Sequence, residues 1–206
     1  RLQFLGDCLR QLRAELDGRL LITRGRPEER IPLIAKEIGA SAVHVSADFS
    51  PFGRRRDSRV QDALDGIPLI PTGSPYLVSP GRVTKDDDSP YRVFTPFFRR
   101  WRDHGWRQPA GTGAQSARWI DPGSVATAVS KLADAPDTGV PAGFTAGEEA
   151  ARHRWQQFVD EGLGDYDDHR DLPGIDGTSH MSVHLKFGTI HPRTMAADLD
   201  LNHSSH

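Results

Sequence analysis

Long apolar runs are missing from these 206 residues. No stretch approaches the ~20 consecutive apolar residues that a membrane-spanning helix needs, so no membrane partner is expected. Cysteine is almost absent: Cys8 stands alone. That excludes an internal disulfide framework and suits a reducing compartment, so a cytoplasmic location is expected. No secretory signal is visible. Lysine is scarce, since of 26 basic residues only Lys36, Lys85, Lys131 and Lys186 are lysine. A net charge of −2 gives no overall field that would advertise nucleic-acid binding, and clusters such as Arg54–Arg56 and Arg99–Arg102 read as solvated faces. The G-x-S-x-G nucleophile elbow, the G-x-G-x-x-G dinucleotide turn and the P-loop are all missing, which removes the hydrolase, nicotinamide and P-loop readings. There are nine histidines. His180, His184 and His191 cluster, but with no interleaved acid and no nearby cysteine a metal site is not expected.

What is present is an alternating first half. Leu2, Leu5, Leu9, Leu12 and Leu16 recur at helical spacing, with Cys8 beside that face. A strand is expected at Leu20–Arg24. A helix over Glu28–Ile38 follows, with Pro27 near its first position, where a missing N–H costs little. A strand at Ala42–Ala47, a loop at Asp48–Pro51, a helix over Arg54–Leu64 and a strand at Ile67–Pro71 complete the run. Strands joined by helices imply parallel crossovers, hence an α/β fold with a doubly wound parallel sheet. Tyr76–Val83 reads as a hairpin-like loop and Tyr91–His104 as an extended entry plus a helix.

Residues 105–143 are rich in Gly, Pro, Ala and Ser and read as a linker, with a helical piece over Ser124–Leu132. Thr145-Ala146-Gly147-Glu148 has the spacing of a capping box. The apolar positions Ala151, Trp155, Phe158, Val159 and Leu163 that follow form one core-facing stripe. The charged run Asp165–Asp171 ends at Leu172-Pro173. Asp176-Gly177 turns the chain, and Thr178-Ser179 opens an amphipathic segment from Met181 to Ile190. Hydroxyls at a helix start satisfy free backbone N–H groups, and such a start also suits phosphate. Local chemistry alone leaves both an ordinary capped helix and a cradle for a phosphorylated cofactor open.

The block from Tyr166 to Arg193 resembles the flavin-binding entry of the DNA photolyase/cryptochrome family, whose pattern runs Y-x-x-x-R-D-x-P-x-x-x-G-T-S-x-L-S. Pro90–Trp101 is similar to the family's P-Y-x-V-F-T-P-F-x-x-x-W segment, and Asp48–Asp57 to its D-Y-x-P-Y-x-x-x-R-D loop. All three occur in the family's order and cover nearly the whole chain. His180 and Met181 depart from the pattern, which commonly has Arg and Leu there.

The resemblance implies the N-terminal α/β domain of a photolyase over 1–104 as a partial sheet, a linker over 105–144, and the first helices of an all-α FAD-binding domain over 145–206. It implies FAD contacts at Tyr166, Thr178, Ser179, His180, Met181 and Ser182, and a DNA-backbone contact at Arg170. A second, antenna chromophore of deazaflavin or methenyltetrahydrofolate type is expected as well. The implied activity is light-driven splitting of cyclobutane pyrimidine dimers in DNA by a monomeric lyase. A cryptochrome photoreceptor that binds FAD without repair is the alternative. The mid-pattern start at Arg1 and the stop at His206 lead to the expectation of a fragment, inactive by itself, whose residues beyond Pro173 are poorly buried.

Overall fold

The computed structural model describes residues 1–111, 113, 116–126 and 144–199. These fall into two compact units. One comprises Leu12–Pro75 and the described part of Gly111–Ala135. The other comprises Arg1–Gln11, Tyr76–Ala110 and the described part of Pro136–His206.

The first unit holds the parallel sheet. Helix α2 (Pro27–Glu37) and helix α3 (Pro51–Ala63) pack on each other and on strands β1 (Val43–Val45) and β2 (Leu69–Pro71). The strands run parallel, with Val43 opposite Leu69 and Val45 opposite Pro71. Ala35, Val60 and Leu64 form the core, and Ile31, Val43, Ile67 and Leu69 close around it. Gln61 fixes the entry to β2, since its side-chain oxygen accepts from the Leu69 N–H at 2.7 Å.

The alternation of helix and parallel strand is as expected, with two differences. Helix α3 starts at Pro51 rather than Arg54. Ser50 accepts from the Gly53 N–H at 3.0 Å and Pro51 occupies the first turn, a combination that starts a helix early. Leu20–Arg24 forms no strand. The sheet among the described residues contains β1 and β2 only, and an apolar segment becomes a strand only where a neighbour takes its backbone hydrogen bonds. The Thr23 hydroxyl there is buried without a partner.

The second unit is helical. It contains the start of α1 (Leu2–Glu15), α4 (Phe94–His104), α5 (Glu148–Glu161), the single turn α6 (Tyr166–His169), α7 (Ser182–Phe187) and α8 (Pro192–Asp198). The buried face of α1 is Phe4 and Cys8, not the leucine stripe: Leu2 is 76% exposed. Phe4 and Cys8 pack with Ala146, Val183 and Phe187, and burial pushes the Cys8 thiol up from its ordinary value. A second cluster joins Ala151 and Trp155 of α5 to Met181 and Ile190. The Trp155 indole N–H donates to Asp198 at 3.0 Å. Beyond Pro173 the expectation of poor burial holds only in part: residues 174–176, Thr178, His180 and Leu185 are exposed, but Met181, His184, Thr189, Ile190 and Ala196 are buried.

Three further expectations are revised. Tyr76–Val83 forms turns and bends rather than a hairpin. Of Ser124–Leu132, the described residues show a 3₁₀ turn at Pro122–Ser124, and residues 127–132 lie outside the described residues. The capping box does not form: Gly147, not Thr145, is the N-cap of α5, with φ +98°. A Cβ at Gly147 would overlap the Gln11 side-chain amide, so a bare backbone is what lets α1 approach the start of α5.

Candidate functional site

The site is built on one face of α5. Phe158 stacks on Trp155 with centroids 5.9 Å apart and meets the Tyr166 ring edge-on, also at 5.9 Å. Tyr166 is thus held at the surface by the core stripe beneath it. Arg170 lies over the Tyr166 ring at 5.6 Å. Its guanidinium also reaches Asp167 at 3.1 Å and Asp171 at 3.8 Å.

After α6 the chain turns at Leu172–Ile175, where the Ile175 N–H donates to the Leu172 carbonyl. Gly177 is buried against His169: a Cβ there would run into the His169 Cβ and backbone carbonyl. The glycine of the G-T-S triplet is therefore required by close backbone packing. His180 then takes a left-handed φ of +54°, uncommon for a residue with a Cβ, and its ring bonds to Asp176. That bond, together with the charge of His180, holds the Asp176 carboxyl below its usual value.

Thr178 and Ser179 are not the helix cap expected of them. Helix α7 begins at Ser182 with Met181 at the N-cap and no side-chain cap bond. Gly188, at φ +71°, ends it after Phe187, short of the expected Ile190. Among the described residues, the backbone N–H groups of 177–180 and the hydroxyls of Thr178, Ser179 and Ser182 have no hydrogen-bond partner in the protein. Thr178, His180 and Ser182 are exposed and Ser179 half-buried. Met181, at 2% exposure, gives its side chain to the core. The structure thus brings Thr178, Ser179, His180 and Ser182 into one turn, with Tyr166 and Arg170 on the preceding helical turn.

Below α7, the His184 Nδ1 is 2.9 Å from the Thr189 hydroxyl, and both residues are buried. Burial first, and the charge of Arg154 second, hold the His184 imidazole below its usual value. The His191-Pro192-Arg193 triplet has a local purpose. The His191 ring accepts from the Arg193 N–H at 3.1 Å and caps α8, with Pro192 in the first turn, and the Arg193 Nε donates to the Leu77 carbonyl.

One residue of this face escaped sequence reasoning. Arg154 is half-buried, and its Nε donates to the Ser179 carbonyl at 3.2 Å. It lines two open clefts, of 230 Å³ with Gln157, Phe158, Asp176 and Thr178, and of 430 Å³ with Phe144, Ile175, Asp176 and His180. The available signal was its position, at i+3 from Ala151 and four residues before Phe158, on the face the apolar stripe defines.

Among the described residues no three His, Cys, Asp or Glu side chains converge as a metal site would require, and no helix is long and apolar enough to cross a membrane.

The DNA photolyase family model matches residues 1–114. The chain is 36% identical over 197 residues to a deoxyribodipyrimidine photo-lyase of Streptomyces griseus, and 33% identical over 204 residues to one of Synechococcus sp.. Each match covers 92% of this chain and 42% of the relative, so the chain spans less than half the length of these relatives. A bacterial class III photolyase from Agrobacterium tumefaciens superposes with a TM-score of 0.78 at 25% identity, over 97% of this chain and 43% of that one. A Synechocystis cryptochrome shares the fold, with a TM-score of 0.76.

Proposed function

The chain belongs to the DNA photolyase/cryptochrome family, and from that premise we propose that the protein carrying it is a deoxyribodipyrimidine photo-lyase with FAD as cofactor and dimer-containing DNA as substrate. The observation that carries the cofactor reading is the turn 177–182. It offers consecutive N–H groups without protein acceptors, three hydroxyls with no partner among the described residues, and a left-handed residue that curls the backbone. Successive free N–H groups in such a conformation make an anion-binding concavity, which fits the pyrophosphate of FAD. Tyr166, Thr178, Ser179, His180 and Ser182 are the proposed contacts, with Met181 contributing by anchoring the turn in the core.

Bound FAD would supply light-driven electron transfer to a pyrimidine dimer flipped out of the duplex. The residues described here do the positioning. Arg170, held by Asp167 and Asp171, is the proposed contact to the DNA backbone, where a guanidinium suits phosphate. An antenna chromophore, a cytoplasmic location, a monomeric state and the division at 1–104, 105–144 and 145–206 belong to the same proposal.

The test uses the full-length protein, purified in the dark. A flavin absorption spectrum together with blue-light-dependent loss of cyclobutane dimers from an oligonucleotide is the expected result. A flavin spectrum without dimer loss would favour the cryptochrome alternative. A protein that takes up no flavin would overturn both.

A further inference from the structure

We propose that Arg154 is a phosphate-binding residue of the 177–182 turn, reaching it from α5 and gripping the cofactor's phosphate oxygens with the outer edge of its guanidinium. The proposal rests on the flavin reading above and adds a residue that lies outside the turn itself.

The geometry argues for it in three steps. The Nε of Arg154 is committed to the Ser179 carbonyl at 3.2 Å. That bond fixes the guanidinium plane and leaves the edge formed by the two terminal nitrogens, the edge that pairs bidentately with phosphate. Next, this edge has no competing anion in contact, because among the described residues Arg154 forms no ion pair. The two carboxylates that share its clefts make their hydrogen bonds elsewhere: Asp176 bonds to His180 and feels the Arg154 charge only at a distance, and the Glu161 carboxylate accepts from Gln157 at 3.0 Å. A guanidinium edge that faces open clefts and forms no ion pair stays available to an anion. Finally, the same side chain borders both clefts beside the turn. Thr178 shares the first cleft with Arg154 and His180 shares the second, so a group held at the turn from either cleft meets Arg154.

A role confined to architecture would be a clamp on the Ser179 carbonyl. A phosphate-reading residue distinguishes FAD from riboflavin, which shares the ring system but has no phosphate. Unlike a clamp that only shapes the turn, it also steepens the salt dependence of FAD binding, so affinities are compared at two ionic strengths. A loss of FAD affinity in Arg154→Gln with the salt dependence of wild type would mark the clamp and overturn the proposal. In the apo form of the full-length protein, the dissociation constants of FAD and riboflavin are measured for wild type, Arg154→Gln and Arg154→Lys. Arg154→Gln is expected to weaken FAD roughly ten- to hundredfold, as the loss of charge-assisted hydrogen bonds implies, and to leave riboflavin unchanged. Arg154→Lys, which keeps the charge but not the fork, should fall between.

Equal weakening of FAD and riboflavin, or no weakening of FAD, would overturn the proposal. If Arg154→Gln fails to fold, Arg154→Lys decides by the same comparison. If wild type binds neither flavin, the cofactor reading fails by itself. Arg154 is then judged by titration with inorganic pyrophosphate: binding by wild type that Arg154→Gln abolishes keeps the anion site, and no binding by wild type rejects it.

Discussion

Trp155 is the joint between the core of the helical unit and the turn that forms the site, and its removal gives a sharp test. It is 5% exposed and packs with Ala151, Met181 and Ile190, while its indole N–H donates to Asp198 at 3.0 Å. Trp155→Ala deletes a large buried ring, and such deletions cost about 3–5 kcal/mol. Trp155→Phe keeps an aromatic ring and loses the hydrogen bond. Because Asp198 is exposed and can return to water, that loss is about 0.5–1.5 kcal/mol, with a smaller addition for the reduced ring. Asp198→Ala leaves the buried N–H without an acceptor, at about 1–3 kcal/mol. The double variant Trp155→Phe/Asp198→Ala should then be more stable than the sum of the two losses, by about 1 kcal/mol, since the second change removes a partner already gone. Urea unfolding followed by far-ultraviolet circular dichroism measures wild type and the four variants. Two compact units can unfold separately, so the transition assigned to the helical unit is the one to compare. If Asp198→Ala costs nothing and the two changes are additive, the hydrogen bond has no energetic weight and the anchoring argument fails. The same Trp155→Ala chain should also bind flavin more weakly in the full-length protein, because Met181 loses the surface that holds it.

Four other outcomes are expected. In the full-length protein, Thr178→Ala with Ser182→Ala should lower flavin occupancy, read from visible absorption, while Arg170→Ala should retain flavin, weaken binding to dimer-containing DNA and flatten its salt dependence. His184 titrates below its ordinary value of 6.5 in the folded chain, so its contribution to stability is present above 6.5 and is lost as pH falls through the lower folded value. The pH dependence of the unfolding midpoint in that range should shrink in His184→Phe. Gly147→Ala should lower stability by about 1–3 kcal/mol for the left-handed backbone and further for the overlap with Gln11, and adding Gln11→Ala should restore only the second part. The isolated 206-residue chain should show no stoichiometric flavin spectrum, since a few hydrogen bonds of about 0.5–1.5 kcal/mol each do not offset association costs of about 4–15 kcal/mol.

Much of the α/β unit was legible because each element there carries a local signal that packing reinforces. Pro27 sits where a helix can begin, whereas Pro51, read as the end of a loop, opens α3 ahead of the expected Arg54; Val43–Val45 and Leu69–Pro71 are short apolar runs that find each other in parallel register. Leu20–Arg24 carries the same apolar signal and forms no strand, because pairing is a property of two segments and a sequence window reads only one. The leucine stripe of α1 misled for a related reason. Five leucines at helical spacing predict an apolar face, but which face is buried depends on the partner. Here the partner is Ala146, just ahead of α5, with Val183 and Phe187 of α7, which together take Phe4 and Cys8.

The site was legible as a motif and illegible as a mechanism of assembly. The order Gly177-Thr178-Ser179 reads as a cap followed by a helix, yet the helix waits until Ser182. The delay has a physical source. Gly177 is pinned against His169, His180 is turned left-handed with its ring on Asp176, and the Ser179 carbonyl is taken by Arg154 from another helix. Each of these contacts holds the turn open and keeps its N–H groups out of the α-helical ladder. A run of Thr and Ser in an ordinary helix start would spend those groups on its own cap. Here none of those groups is taken by the protein, so they stay available to an anion, as the proposed cofactor contact requires. Arg154 could not be found from the motif, because it lies more than twenty residues upstream and reaches the turn only through the packing of α5.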